Sequence, residues 1–365
     1  MTRSVMIYGA NGFSGRAIAS RLAAAGHELV LAGRNAGALR ALAAELGASC
    51  RVFGLDDPAL VAAGVRGMTV VLHAAGPFIE TAAPMIQACL DAGAHYLDLS
   101  GEWPGFALAQ RRGRQAVEAG IMLMPGVGFT IVASDCLLAR AAKATPDATL
   151  LRVGGVYPPV MSRGTLRTAL GLVSSRVIVR RDGEARTVPA GSLQRTFNFG
   201  EGERRAVAVS WPDVITGQQT TGVPNIEAYM EAPLALRLAG LAGAHAAEIH
   251  GEAKVRAALA PVGALWPQHP APPSQGAASL AVVVEAVDLW RRTTRFGMKT
   301  LDGYSVTVLT AAAAVERVLA GEHPPGFQTP AGVFGADFIA GLGCAWDYDA
   351  GRTAGRDRTV PALGA

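Results

Sequence analysis

The chain has 365 residues, half of them hydrophobic and 17% charged, with a net charge of +4 and a pI near 9.0. That length suggests about two domains, and the apolar fraction excludes general disorder. The arginines are scattered among acids and turns, as in Arg111-Arg112 and Arg180-Arg181, which argues against the clustered basic and aromatic face of a nucleic-acid binder.

Cys50, Cys89, Cys136 and Cys344 form no CxxC pair, His245 and His250 stand five apart rather than four, and HExxH is absent. No metal site is expected, and reduced thiols fit a cytoplasmic setting. The N-terminus runs straight into an apolar strand, so it does not read as a signal peptide. Prolines and glycines interrupt every apolar run short of the ~20 residues of a spanning helix.

In chain order, residues 5 to about 126 alternate strand and helix. "SVMIYGA" is an apolar strand, and "GRAIASRLAAAG" an alanine-rich helix closed by Gly26. "HELVLAGR" and "AGALRALAAELG" repeat the pair, closed by Gly47, and "CRVFGLD", "TVVLHAAG", "HYLDLSG" and "IMLMPGVG" continue it. Strands alternating with helices of this length predict an α/β, doubly wound parallel sheet, with domain limits at residues 1–127. From 128 to 302 the pattern changes. "ATLLRVGGVY", "SSRVIVRRDGEARTVPAG", "LQRTFNFG" and "ERRAVAVSW" read as strands joined by turns. They predict a second, α+β domain on a mixed, mainly antiparallel sheet, which could also carry a homodimer contact. Residues 261–275 hold five prolines and no charge, the composition of a long loop or lid. "SLAVVVEAV" and "RRTTRFGMKT" form a closing hairpin, "YSVTVLTAAAAVERVLAG" a helix within a segment 303–350, and 351–365 a flexible tail. No internal repeat is visible.

The stretch "IYGANGFSGRAIA" carries glycines at 9, 12 and 15 between a strand and a helix. Gly9 permits the tight turn, Gly12 lets backbone approach a pyrophosphate, and Gly15 lets helix and strand pack closely. Helix N-terminal amides from Ala10, Asn11, Phe13 and Ser14 onward would then face the phosphates. A plain structural turn uses the same spacing, but here it opens a repeated strand–helix pattern. The second strand ends in "LAGRN", with Arg34 and Asn35 where an NAD site carries an acid. A guanidinium suits a 2′-phosphate by charge and fork geometry, so the expected cofactor is NADP. Asp56 would lie near the adenine. "HAAGPF", with Ala74, Ala75, Gly76, Pro77 and Phe78, offers an open turn for the nicotinamide ribose, and Gly101 in "DLSGE" and the turn "PGVGF" should face the same crevice. No Tyr-x-x-x-Lys is present, which excludes short-chain dehydrogenase chemistry.

Together, "GANGFSGR", "LAGRN", "AAGPF", "HYLDLSGE", "PGVGF" with Ser134-Asp135, "SRGT" (162–165) and "DGY…GFQTPAGVFGADF" resemble the saccharopine dehydrogenase-like oxidoreductases of the saccharopine reductase type and their trans-acting enoyl reductase relatives. The resemblance implies a Rossmann domain binding NADP, a substrate domain on a mixed sheet, and a C-terminal helix returning to the first domain. The family contains both C=N and C=C reductases. Candidate catalytic residues are Glu102, then Asp98, near the nicotinamide, and Tyr157 with Arg163 or Arg167 toward substrate. Asp98 with Ser100, and Ser134 with Asp135, could equally be helix caps. The apolar "APLALRLAGLAGAHAA" suits a hydrophobic or amphipathic small-molecule substrate. The reading is an NADPH-dependent reductase of a double bond, with a saccharopine-type imine reductase and a non-catalytic NADP(H)-binding redox sensor as alternatives.

Overall fold

A computed structural model describes residues 4–156, 176–232, 234–264, 280–348 and 352–356. The chain divides into two compact units: Met1–Val132 with Gly303–Phe334, and Ala133–Asp302 with Gly335–Ala365.

The first unit is built on a seven-stranded parallel sheet. Its strands are β1 (Val5–Tyr8), β2 (Leu29–Gly33), β3 (Ser49–Val52), β4 (Val70–His73), β5 (His95–Asp98), β6 (Met122–Met124) and β15 (Gly326–Phe327), in the order β15-β6-β5-β4-β1-β2-β3. β1, β2, β4, β5 and β6 are buried along their whole length, which is why they read as unbroken apolar runs instead of alternating ones. Helices α1 (Phe13–Ala24), α2 (Ala36–Leu46), α3 (Pro58–Val65), α4 (Phe78–Ala92), α5 (Trp103–Arg111) and α6 (Gly113–Glu118) supply the crossovers. The chain leaves β1 toward β2 and β3 on one side and returns to β4, β5 and β6 on the other. The order therefore reverses between β1 and β4, the position at which such sheets open a crevice at their carboxyl ends.

The last strand and the last long helix of this unit come from far down the chain. Helix α11 (Gly303–Leu319) buries a stripe of Val306, Thr310, Ala311, Ala314 and Val318, and β15 pairs in parallel with β6. The sequence reading gave no strand at Gly326–Phe327. Two residues carry too little periodicity to register, and only the register with Met122 and Leu123 defines them. The 303–350 segment also divides: Gly335 onward goes with the second unit.

The second unit is a ten-stranded mixed sheet. In it, β7 (Ala148–Val156) pairs in parallel with β12 (Asn225–Glu231), and among the described residues every other pairing is antiparallel. The hairpin β8 (Arg176–Arg181) to β9 (Glu184–Pro189) turns through Asp182 and Gly183, both at positive φ, the two-residue geometry that matches strand twist. The closing hairpin is β13 (Ala281–Asp288) to β14 (Arg292–Thr300), and β16 (Ala345–Tyr348) and β17 (Arg352–Arg356) add to β14. Strand β17 thus occupies part of the segment read as a tail. Helix α7 (Phe129–Ala144) carries the chain into this unit, which also holds α8 (Asp213–Thr221), α9 (Leu234–His250) and α10 (Glu252–Ala264). Pro261 lies inside α10, and the remainder of the proline-rich stretch, 265–275, falls outside the described residues, as do Tyr157, Arg163 and Arg167.

Across this sheet runs a register of opposite charges: Glu227 on β12 stands beside Arg152 on β7, Arg152 beside Glu285 on β13, and Glu285 beside Arg295 on β14. Arg152 bonds Glu227 at 2.9 Å and Arg295 bonds Glu285 at 2.9 Å. Arg181 and Arg195 close on Glu227 and Glu285 from the hairpins, and the Tyr229 hydroxyl donates to Glu227. Each buried carboxylate thereby meets several donors, the condition under which burying charge is tolerated. The sheet curls to allow it. Strand β10 (Gln194–Asn198) carries Arg195 and lays the Phe197 ring 3.0 Å from where a Cβ on Gly154 would stand, so Gly154 in β7 is a packing requirement.

Asp213, in the first turn of α8, is 2% exposed, and its Oδ1 has no hydrogen-bond partner among the described residues. Burial pushes its carboxyl up to about 6 against the pull of the Ser134 hydroxyl. A carboxyl raised on folding leaves stability whole below its ordinary range near 4 and takes it away as pH rises through 6, on the order of 3 kcal/mol for this group. Asp213→Asn is therefore expected to melt higher than the parent chain at pH 8 and at nearly the same temperature at pH 4, measured by circular dichroism. Equal melting temperatures at pH 8 would contradict the assignment.

Candidate cofactor crevice

The bend after β1 is built from close approaches that side chains would block. Gly9 has φ +85°, and a Cβ there would stand 2.9 Å from the Ala75 Cβ and 3.0 Å from the Ala74 carbonyl. A Cβ on Gly12 would meet the Gly9 carbonyl oxygen at 3.2 Å, and one on Gly15 would overlap that same oxygen. The Gly9 amide donates to Ala32 O at 2.7 Å and the Gly12 amide to Gly9 O at 2.9 Å, tying the bend to β2. Gly12 is the N-cap of α1 and gives no side-chain cap. No N-cap side chain therefore covers the start of α1, as an anion site there requires. Asn11, Gly12 and Phe13 are exposed there, Ala10 is buried, Ser14 is half-buried, and the Asn11 Oδ1 lies 3.4 Å from the Cβ position of Gly33.

At the end of β2, Arg34 is exposed and makes no hydrogen bond or ion pair among the described residues. Its charge and that of exposed Asp56 both act on the Tyr8 phenol, which donates to Phe53 O at 3.1 Å and is raised chiefly by burial. Arg34 and Asp56 thus flank one end of the crevice beside β1 and β3. Asn35 does different work. Its side chain accepts from the Ala38 amide and caps α2.

The loop after β4 lies on the other side of the switch point. Two donors meet on the Ala75 carbonyl: His73 Nε2 at 3.0 Å and the Thr81 hydroxyl at 2.8 Å. Burial lowers His73 to about 3, so the ring is neutral, with Nε2–H donating to the carbonyl. Glu102 is 2% exposed and accepts from the amides of Phe78 and Ile79 at 3.1 and 2.6 Å. Its carboxylate caps α4 from the neighbouring strand end. Ala74, Ala75 and Phe78 are half-buried, Pro77 follows a cis peptide, and Gly76 and Ile79 are exposed.

Asp98 is 1% exposed and saturated: Oδ1 accepts from the amides of Ser100 and Gly126 at 2.8 Å each, and Oδ2 from the Tyr96 hydroxyl at 2.7 Å. Burial raises its carboxyl against these donors. It ties the end of β5 to the turn after β6. Gly101 lies where a Cβ would stand 3.2 Å from Thr130 Cγ2, so the loop after β5 closes on the first turn of α7.

Several contacts that the sequence reading did not foresee complete this face. The Phe13 and Tyr304 rings meet edge to face at 4.9 Å, placing the first turn of α11 beside the glycine bend. The Phe129 amide donates to the Thr307 hydroxyl at 3.2 Å, and the Thr310 hydroxyl donates to Val127 O at 2.8 Å. Nothing local in the sequence announces such contacts, whose partners lie 178 or more residues apart. Thr81, four residues past Pro77, carries the weak signal of a hydroxyl in a first helical turn.

Ser134 and Asp135 belong to the second unit, where Ser134 bonds Asp213 and Asp135 accepts from Thr220 at 2.6 Å. All four cysteines are free thiols. Among the described residues no group of three or more His, Cys, Asp or Glu could hold a metal, and no helix is long and apolar enough to cross a membrane.

Comparison with known proteins agrees with the resemblance read from the motifs. Residues 5–124 match the family described as saccharopine dehydrogenase NADP binding domain. Over 143 residues, 36% of this chain, the sequence is 32% identical to a trans-acting enoyl reductase of Mycobacterium tuberculosis, and the same enzyme of Mycobacterium leprae matches at 32% over 139 residues. The chain spans about a third (33%) of the length of these curated relatives. The fold resembles apo saccharopine dehydrogenase (L-Glu forming) from Saccharomyces cerevisiae with a TM-score of 0.60, covering 95% of this chain and 100% of that one at 14% identity. The N-terminal resemblance is to an NADP binding domain, and the two-unit α/β fold is that of the yeast enzyme.

Because the bend tolerates no Cβ at position 15, Gly15→Ala is expected to weaken NADPH binding more than about tenfold and cost about 1–3 kcal/mol of stability. Gly105→Ala, where a Cβ meets nothing within 4 Å, is the control. Fluorescence titration and thermal melting measure both, and a Gly15→Ala chain that behaves like its control would contradict the packing argument.

Proposed function

We propose that the chain is an NADPH-dependent oxidoreductase that reduces an activated C=C bond of a hydrophobic or amphipathic small molecule. The observation that carries the reading is the uncapped glycine bend between β1 and α1, with the exposed Arg34 guanidinium one strand away. The residues fit a dinucleotide carrying a 2′-phosphate. Backbone amides from Ala10 to Gly15 would hold the pyrophosphate, Arg34 the extra phosphate, and the Ala74–Phe78 loop the nicotinamide ribose. When bound, NADPH supplies the hydride.

The chain's own groups bind and orient. His73 and Thr81 fix the Ala75 carbonyl, and Glu102 fixes the start of α4. Both Asp98 oxygens are engaged by donors, so Asp98 and Glu102 are positioning residues in this reading, and neither is assigned the proton. Exposed Phe13 and Ile79 give the crevice mouth apolar character suited to an apolar substrate. The choice of C=C is supported by the relatives named trans-acting enoyl reductase.

Arg34→Ala should weaken NADPH by about tenfold to a hundredfold and leave NADH nearly unchanged; a parallel loss for both coenzymes would refute the assignment. Glu102→Gln should alter KM for NADPH while keeping the pH profile of kcat, since a side chain that accepts from the Phe78 and Ile79 amides holds the start of α4 and is given no proton to carry in this reading. Loss of one limb of that profile would make Glu102 the proton donor. Turnover itself is read from NADPH oxidation with a panel of enones, imines and ketones. Exclusive use of imines would favour a saccharopine-type reduction, and binding without turnover a redox sensor.

A further inference from the structure

A chain of buried polar groups runs beneath the loop after β4. In register, His73 at the end of β4 stands beside Asp98 at the end of β5 and beside Tyr8 on β1. Tyr96 lies two residues before Asp98, on the same face of its strand. His73, Tyr96 and Asp98 are each at most 1% exposed. Tyr96 Oη lies 2.7 Å from Asp98 Oδ2 and 3.4 Å from His73 Nδ1, and His73 Nε2 lies 3.0 Å from Ala75 O.

The hydrogens of this chain can be counted. A carbonyl only accepts, so Nε2 of the neutral His73 ring carries the hydrogen and Nδ1 is an acceptor. Tyr96 has a single hydroxyl hydrogen and two acceptors beside it. With Asp98 ionised, that hydrogen goes to the carboxylate, the shorter and charge-assisted bond. His73 Nδ1 is then left without a donor in the protein interior, where an unmet acceptor is costly. The other ionisable groups on the surrounding elements are engaged elsewhere or stay protonated. Tyr8 donates its hydroxyl to Phe53 O, Glu102 accepts from the Phe78 and Ile79 amides, and burial raises the Cys89 thiol on α4.

One further proton completes the chain. Placed on Asp98 Oδ2, it is donated to Tyr96 Oη, and the Tyr96 hydroxyl turns about its C–O bond to donate to His73 Nδ1. Nε2–H donates to Ala75 O as before, and Oδ1 still accepts from the amides of Ser100 and Gly126. Burial raises the Asp98 carboxyl, which brings this uptake closer to neutral pH.

We propose that Tyr96 is a two-way hydroxyl, serving Asp98 when the carboxyl is ionised and His73 when it is protonated, so that a proton on Asp98 joins β5 to the Ala75 carbonyl by an unbroken hydrogen-bonded chain. The proton stays inside, because a carbonyl ends the chain. Tyr96 and His73 are thus positioning residues for the Ala74–Phe78 loop. Only the coupling to NADPH rests on the reading of that loop as part of the cofactor site.

The test is a nitrogen-15 NMR titration of the histidine rings in the ligand-free full chain from pH 8 to pH 5, with NADPH titrations at both ends. Burial lowers His73 to about 3, so the ring should stay neutral with hydrogen on Nε2, while its Nδ1 resonance moves upfield as it gains a donor. Asp98→Asn sets a permanent donor opposite Tyr96 and should show the moved resonance already at pH 8. Tyr96→Phe should show it at no pH. The ratio of NADPH affinity between the parent chain and Tyr96→Phe should rise about threefold to tenfold from pH 8 to pH 5. That ratio cancels titration of the coenzyme's own phosphate. An Nδ1 resonance fixed across the range in the parent chain, or unmoved by Asp98→Asn, overturns the proposal whether or not Tyr96→Phe folds. An Nδ1 shift without a change in NADPH affinity supports the two-way hydroxyl and contradicts the cofactor reading of the loop.

Discussion

The first unit depends on one close approach: α1 comes down on the bend after β1 so tightly that the Gly9 carbonyl occupies the space of a side chain at Gly15. Two consequences follow from that contact. The helix axis is fixed to the strand, so its amides point into the opening at the strand ends. The tight turn also leaves no side chain at Gly12 to cap them. A helix start without a side-chain cap is ordinarily a defect, and at the switch point of a parallel sheet it suits a receptor for phosphate.

The opposite wall of the crevice is held by a different principle. The loop after β4 is pinned by polar groups, buried or half-buried beneath it. His73 and Thr81 converge on one carbonyl, and Glu102 reaches from the next strand end to two amides. These buried groups bond backbone on neighbouring segments, so they trade desolvation for order. Asp98 does the same one strand further along. The crevice is therefore preorganised on both sides, by packing on one and by buried hydrogen bonds on the other.

Much of the first unit was legible because its signals are local. Unbroken apolar runs, glycines at helix ends and the spacing at 9, 12 and 15 all lie within a few residues of what they specify. Gly26 and Gly47 close their helices at positive φ. The second sheet was legible as a set of strands, but its curl and its charge register depend on partners up to 133 residues apart, as for Arg152 and Glu285, and periodicity carries no such information. At the crevice, residue type revealed where carboxylates would sit and not what they would face. Glu102 and Asp98 both lie at strand ends beside the opening, yet the amides they accept from belong to other segments. Tyr304 and Thr307 reach the glycine bend and the Phe129 turn only because a helix from the far end of the chain packs on this unit.

The most direct measurement of the account is a fluorescence titration of the intact chain with NADPH and with NADH. The account predicts saturable binding of both reduced coenzymes, with NADPH tighter by about tenfold or more, since one guanidinium–phosphate contact separates them. Indifference to both coenzymes, or equal affinity for the two, would contradict it.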